Sequence, residues 1–377
     1  MKKMLAVSTI LILLGLSVSV GQGKFGGYMF ADYYYNVSRD ASFGSAAPAN
    51  SALSSNSPGA TAMQAFQMRR VYFTYDNDIS DQFTARFRLE VDQAANASNG
   101  KIGSFVKDAY LKWKNIFSGS DLIFGIQPPP AYEVSEAAWG YRSLEKTIMD
   151  LRGIVASRDQ GISLHGKVTD DGMINYWVMF ANNSGNTPET DKYKRYYAHI
   201  QLKPTTNLQA TLYFDYKDAI NITDSYHAGQ TLDNTATTVA AFLGYSAPFQ
   251  YSFGVEGFLS AISNGLKDTS AKAYSTKNTL GISVFGSFNI VPELAAVARY
   301  DRYTPSTDDK GTDPAHVGSA ASSNANRDYI IVGLSYKADK NVSIIPNILY
   351  ETYDVPKGAK SIDASLTARL TLYYVFL

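Results

Sequence analysis

Cysteine is absent from the 377 residues, so disulfides, thiolate chemistry and cysteine-based zinc sites are excluded together. An excess of charge of either sign is missing too: 34 Lys and Arg balance 34 Asp and Glu, which leaves no electrostatic footprint for nucleic acid. Histidine is scarce. His165, His199, His227 and His316 lack metal-ligand spacing and no G-x-S-x-G elbow accompanies them, so no cofactor or metal is expected. Long apolar runs are nearly missing. After Met4 to Val20, no stretch approaches the roughly 20 residues that a membrane-crossing helix needs.

That one run follows Met1-Lys2-Lys3 and precedes the small residues Ser19 and Gly21. A charged start, an apolar middle and a small-residue cut site predict a cleaved signal peptide over 1–21 and a mature domain over 22–377. Gly21-Gln22-Gly23-Lys24-Phe25-Gly26 satisfies the dinucleotide pattern G-x-G-x-x-G. It lacks the preceding strand and the following helix that give the pattern its chemistry. Asp308-Asp309 has no EF-hand spacing around it and reads as solvated loop.

What is abundant is alternation. In Phe83 to Val91, Phe83, Ala85, Phe87, Leu89 and Val91 share one face, while Thr84, Arg86, Arg88 and Glu90 share the other. From Ile362 to Phe376 the pattern repeats, with Leu366, Ala368, Leu370, Leu372 and Tyr374 opposite Thr367, Arg369 and Thr371. About sixteen such segments are found. They start near Lys24, Phe66, Phe83, Val106, Ser120, Asp159, Ile174, Tyr193, Leu208, Thr237, Tyr251, Asn278, Leu294, Arg327, Val342 and Ile362.

Short turn-forming links such as Asp170-Asp171-Gly172, Lys203 to Asn207, Ala247-Pro248-Phe249 and Ala338 to Asn341 alternate with long ones. The long ones are Asn36 to Ala65, Gln127 to Arg158, Lys217 to Ala236, Ala261 to Lys277 and Tyr303 to Asn326. Aromatics gather at segment ends, at Tyr33-Tyr34-Tyr35, Trp113, Tyr213, Tyr216, Tyr300 and Tyr350, as girdles at a water–lipid interface would.

The fold class expected is all-β, a transmembrane antiparallel barrel of about sixteen strands with lipid outside and water within. A periplasmic β-sandwich is the competing arrangement. By strand parity the lumen wall receives Arg70, Arg86, Arg88, Glu90, Asp108, Lys112, Arg299 and Arg369. Consecutive prolines at Pro128-Pro129-Pro130 end a strand, and the long third loop that follows allows short helical turns. Folded toward the lumen, it would bring Glu133, Glu136, Arg142, Glu145, Lys146, Asp150, Arg152 and Arg158 to a constriction. As an extracellular flap or a subunit contact it would not.

Three stretches carry a family resemblance: Arg69-Arg70-Val71-Tyr72-Phe73 with Phe83 to Asp92; Lys107-Asp108-Ala109-Tyr110-Leu111; and Gly125-Ile126-Gln127-Pro128 through Trp139 to Glu145 and on to Ser157-Arg158-Asp159-Gln160-Gly161. They resemble the phosphate-selective porin O and P family, departing from the usual terminal Phe in that Leu377 follows Phe376. The resemblance implies a sixteen-stranded homotrimer in the bacterial outer membrane, whose partners are lipid and small hydrophilic solutes or ions. Because loop and lumen mix carboxylates with cations, a weak ion preference is expected in place of phosphate selection. Two alternatives stand beside a channel that is no enzyme: an adhesin or structural barrel meeting a partner through its Ser- and Asn-rich loops, and an outer-membrane hydrolase with His227 or His316 at its rim.

Overall fold

The computed structural model describes residues 23–41, 57–96, 101–247, 250–268, 271–307, 325–355 and 361–376. The expected signal peptide, His316, Asp308-Asp309, Pro248-Phe249 and Leu377 lie outside the described residues. In chain order the elements are β1 (Lys24–Ser38), β2 (Gln64–Asp78), β3 (Phe83–Asn96), β4 (Ile102–Phe117), β5 (Ser120–Gln127), α1 (Glu133–Trp139), α2 (Ile148–Leu151), β6 (Asp159–Lys167), β7 (Ile174–Ala181), β8 (Arg195–Leu202), β9 (Leu208–Lys217), β10 (Ile222–Thr223), β11 (Thr231–Leu232), β12 (Ala236–Ala247), β13 (Tyr251–Asp268), β14 (Ala273–Val291), β15 (Leu294–Thr304), β16 (Asn326–Asp339), β17 (Val342–Asp354) and β18 (Ser365–Val375).

Sixteen strands close into one antiparallel barrel. Each pairs with its sequence neighbours and β1 pairs with β18, so no edge is left open. The two extra strands, β10 and β11, form a small separate hairpin within the link between β9 and β12. Every expected segment is a strand, with shifted ends: β4 begins at Ile102, β8 at Arg195, β14 at Ala273 and β18 at Ser365. The expected loop Ala261 to Lys277 is mostly strand, because β13 and β14 continue pairing out to Asp268 and Ala273.

Alternation sorts side chains as a membrane barrel requires. Phe87, Leu111, Phe124, Val178, Leu212, Leu243, Phe253, Ile282, Leu334, Ile348 and Leu370 are exposed on the outer face. Along β18 the inward Thr367, Arg369 and Thr371 are buried. Trp113, Tyr35, Tyr216 and Tyr300 face outward as girdle residues do. Tyr34 and Tyr213 are corrections to the expected girdle: both are buried on the inner face, where Tyr213 donates to Asp215 Oδ2 at 2.6 Å.

Of several places where the register shifts, two bulges bear on the lumen wall. Phe30 pairs with Arg70 and Ala31 with Met68, so Arg69 is an extra residue in β2. Likewise Arg88 pairs with Asp108 and Leu89 with Val106, making Lys107 an extra residue in β4. A bulge resets strand parity by one residue. Arg69 and Arg70, and again Lys107 and Asp108, therefore both turn inward, where strict alternation would send one of each pair into lipid.

Candidate functional site

The third loop, 128–158, does fold into the barrel. Its first turn, α1, ends at Gly140, whose φ of 69° is a left-handed conformation that glycine adopts without Cβ strain. Two apolar patches on the loop are then buried. Trp139 and Leu144 pack against Phe242, Phe285, Val297, Tyr329, Ile331, Ile345 and Leu349 of β12 and β14–β17. Tyr132, Ile148, Met149 and Val155 pack against Met179, Tyr197, Tyr213, Phe258 and Tyr303. Fully burying a side chain such as Leu144 or Ile148 contributes about 1.5–3 kcal/mol.

Burial strands the loop's carbonyls away from water, and wall arginines supply the missing donors. Arg369 Nη2 donates to Leu144 O at 2.9 Å, Arg69 donates to Ser143 O and Leu144 O, Arg299 to Lys146 O, and Arg195 Nη2 to Ile154 O at 3.3 Å. The guanidinium charges are matched in turn by Asp32, Asp301 and Asp215. Arg152 leaves the loop to meet Glu351 at 3.0 Å, with both side chains fully buried, and Tyr329 donates to Glu145 Oε2 at 3.1 Å.

The expected constriction residues thus divide into two groups. Glu133, Glu136, Arg142, Lys146 and Arg158 are partly exposed at the opening. Glu145, Asp150 and Arg152 are buried, so these three are corrections: Glu145 and Arg152 fasten the loop to the wall, and Asp150 sits beneath the opening as the covered partner of Arg142 and Lys146. Asp150 is held below the usual carboxylate range. Burial works to raise it, and Lys146, Arg142 and Lys107 outweigh that effect. Glu133 moves the other way, pushed up to about 7 by loss of hydration and by Glu136, against the pull of Arg158.

On the wall, Arg299 and Arg369 point inward but are covered by the loop, a second correction. The other expected wall residues form a chain of pairs. Arg70 lies 2.7 Å from Glu90 and 2.6 Å from Asp92; Lys107 is 2.9 Å from Glu90; Arg88 is 3.3 Å from Asp108, which Arg158 also contacts. Arg86 grips Asp76 with two bonds, at 2.6 and 2.9 Å, and Lys112 stands 3.7 Å from Asp121 nearer the short turns. Across the opening, Arg142 is 3.1 Å from Glu136 and Lys146 is 3.5 Å from Asp150. Glu133 feels Arg158, Asp108 and Arg88, and Arg142 feels Tyr72, so this face of the loop looks at β2–β4.

Parity reasoning missed Arg69 and Lys107, both displaced inward by bulges, and Asp32, which holds Arg69. It also missed the apolar seat. The signal for the seat is loss of alternation, in Ile330-Ile331-Val332 and Ile344-Ile345, where both faces are apolar. His165 and His199 face the lumen side of β6 and β8, while His227 bonds Asp224 at 2.7 Å in the β10–β11 link. Among the described residues no group of three or more His, Asp or Glu is placed to hold a metal ion.

A closed sixteen-stranded barrel, apolar outside, with an inward third loop narrowing a charged lumen, has the architecture of the outer-membrane porins. Solved structures agree on the fold. The outer-membrane channel DcaP of Acinetobacter baumannii superposes with a TM-score of 0.65 at 15% identity, covering 96% of this chain and 99% of that one. An anion-selective porin from Comamonas acidovorans gives 0.62 at 10% identity, over 94% and 99%. Salmonella typhi OmpF, in complex with daunomycin, gives 0.60 at 12%, over 94% and 97%. No family model matches the chain, and no curated protein matches it by sequence.

Proposed function

We propose that the chain is an outer-membrane porin, a water-filled channel for passive diffusion of small hydrophilic solutes and ions with little preference between anions and cations. The observation that carries this reading is the local pairing of charge at the opening. Arg70, Arg86, Arg88, Lys107, Arg142, Lys146 and Arg158 meet Asp76, Glu90, Asp92, Asp108, Glu136 and Asp150, each with a partner within 4 Å, and Glu133, half ionised near pH 7, stands beside them. Paired at that range, the charges largely cancel within a Debye length of about 8 Å, so a passing ion meets no dominant field.

Phosphate selection is not part of the proposal, because carboxylates interleave every cluster of guanidinium groups. The resemblance to the O and P family supports the barrel and the third loop and leaves the solute open. The proposal includes a signal peptide over 1–21, assembly as a homotrimer, and an orientation that puts the short turns in the periplasm and the long loops outside. Planar-bilayer recording of the purified protein tests it. Ohmic conductance with a small reversal potential in a salt gradient is expected; a folded, inserted protein without conductance, or strong anion selectivity with tight phosphate block, overturns it.

A further inference from the structure

Below the third loop, on the short-turn side, the lumen opens into a chamber of about 680 Å³. Its charged residues sit at two margins. Glu136 and Arg142, paired at 3.1 Å, lie with Glu133 at the loop, and Lys337 lies at the rim. Between them the lining changes character from one side to the other. On β1 and β18, Tyr28 and Tyr373 face inward, partly exposed, with ring centroids 6.0 Å apart, and Tyr28 is backed by Tyr72 at 4.7 Å. Further round the wall, the inward rows of β12, β13, β14 and β16 end in Ser246, Ser252, Ser287 and Ser335. Strand register sets Ser246 opposite Ser252 and Ser252 opposite Ser287, whose hydroxyls lie 2.8 Å apart.

We propose that this chamber binds neutral saccharides on their way through the channel, an inference that rests on the porin reading above. The hydroxyls of Ser252 and Ser287 bond one another, and the loop's Tyr141 reaches Ser287 and Ser335. Because each serine both donates and accepts, the row and Tyr141 together keep positions for a ligand bearing vicinal hydroxyls. The opposite face of a pyranose ring presents C–H groups, which pack on aromatic faces such as those of Tyr28 and Tyr373. A charged solute finds no counter-ion in the middle of the chamber and must leave its hydration behind to use it. The volume falls within the roughly 300–1,000 Å³ of sites that hold small organic ligands.

The test uses the full-length channel in a planar bilayer, with maltose as the probe and a Cys introduced by Asp339→Cys marking the short-turn side to a thiol reagent. Millimolar maltose added on that side should interrupt the current more than the same sugar added on the long-loop side, where it must first pass the constriction. Replacing Tyr28 and Tyr373 with Ala should raise the half-blocking concentration about tenfold, while Phe at both positions should keep block near the native level. Should the Ala pair fail to insert, Ser252→Ala with Ser287→Ala carries the same expectation of weakened block. An ohmic channel that maltose leaves undisturbed from both sides overturns the proposal, as does block unchanged in the Ala variants or block by benzoate alone. Loss of conductance in the native protein instead fells the porin reading on which the inference stands.

Discussion

The two sides of the lumen are made from the same strands by opposite means. On β2–β4 the inward residues are mostly polar and charged: Arg70, Arg86 and Arg88 stay partly exposed, while the partners Glu90, Asp92, Lys107 and Asp108 are buried in ion pairs. On β12–β17 an apolar seat of Phe242, Phe285, Val297, Ile331, Ile345 and Leu349 is covered by the third loop, and Arg299 donates to the loop's Lys146 carbonyl. One side faces water and the other is a protein core, although both belong to one continuous sheet. The difference teaches that lumen-facing and solvated are separate properties in this fold: parity decides the first, and the third loop decides the second.

The largest effect should come from breaking the dry side. Trp139→Ala removes the ring that fills the seat, which costs about 3–5 kcal/mol of core packing. Single-channel conductance should rise and become noisy as the loop loosens; unchanged conductance would mean that the arginine contacts hold it unaided. Next in size is Arg152→Ala, which takes the guanidinium from a fully buried Glu351. Breaking such a pair costs about 3 kcal/mol, the low end of the usual range, because Tyr353 still donates to Glu351 at 3.0 Å. A fall in the thermal midpoint of the folded barrel measures it, and an unchanged midpoint would show that the pair does not fasten the loop.

The wet side should respond in selectivity more than in stability. Changing Arg86 and Arg88 to Ala releases Asp76 and leaves Asp108 with Arg158 as its remaining cation, whereas Glu90 keeps Arg70 and Lys107. Cation over anion permeability should rise about twofold to fivefold, in keeping with interactions below ~1 kcal/mol at a solvated wall. A shift toward anions would show that these carboxylates point away from the pore. The smallest effect expected is with pH. Glu133, raised to about 7, is mostly neutral below that value and anionic above it, so the reversal potential should drift toward cation preference as pH climbs through 7. Glu133→Gln should flatten this drift; a drift that survives would assign it to another group.

Much of this architecture was legible in the sequence because a strand's period of two leaves a long trace. Sixteen segments and the outer face of β18 followed from alternation and turn residues, while Pro128 to Pro130 marked where the third loop begins and left its inward fold as one choice beside a flap or a subunit contact. The failures have two physical origins, cover by a distant loop and shifts of register at bulges. Phe242, Phe285 and Ile345 are apolar and inward because a loop far away in sequence covers them, and no local pattern announces that cover. Tyr34 and Tyr213 look like girdle residues until the barrel buries them. Arg69 and Lys107 depend on bulges, and neither Arg69-Arg70 nor Lys107-Asp108 says by itself which strand carries an extra residue.

The bonds from the third loop to Arg69 on β2, Arg195 on β8, Arg299 on β15, Glu351 on β17 and Arg369 on β18 span the barrel's cross-section. A hollow cylinder squeezed by lateral tension tends to flatten into an ellipse, and internal spokes tied at several points around its circumference resist that mode. The loop that narrows the passage therefore also keeps it round, so its aperture should change little as the surrounding bilayer stretches.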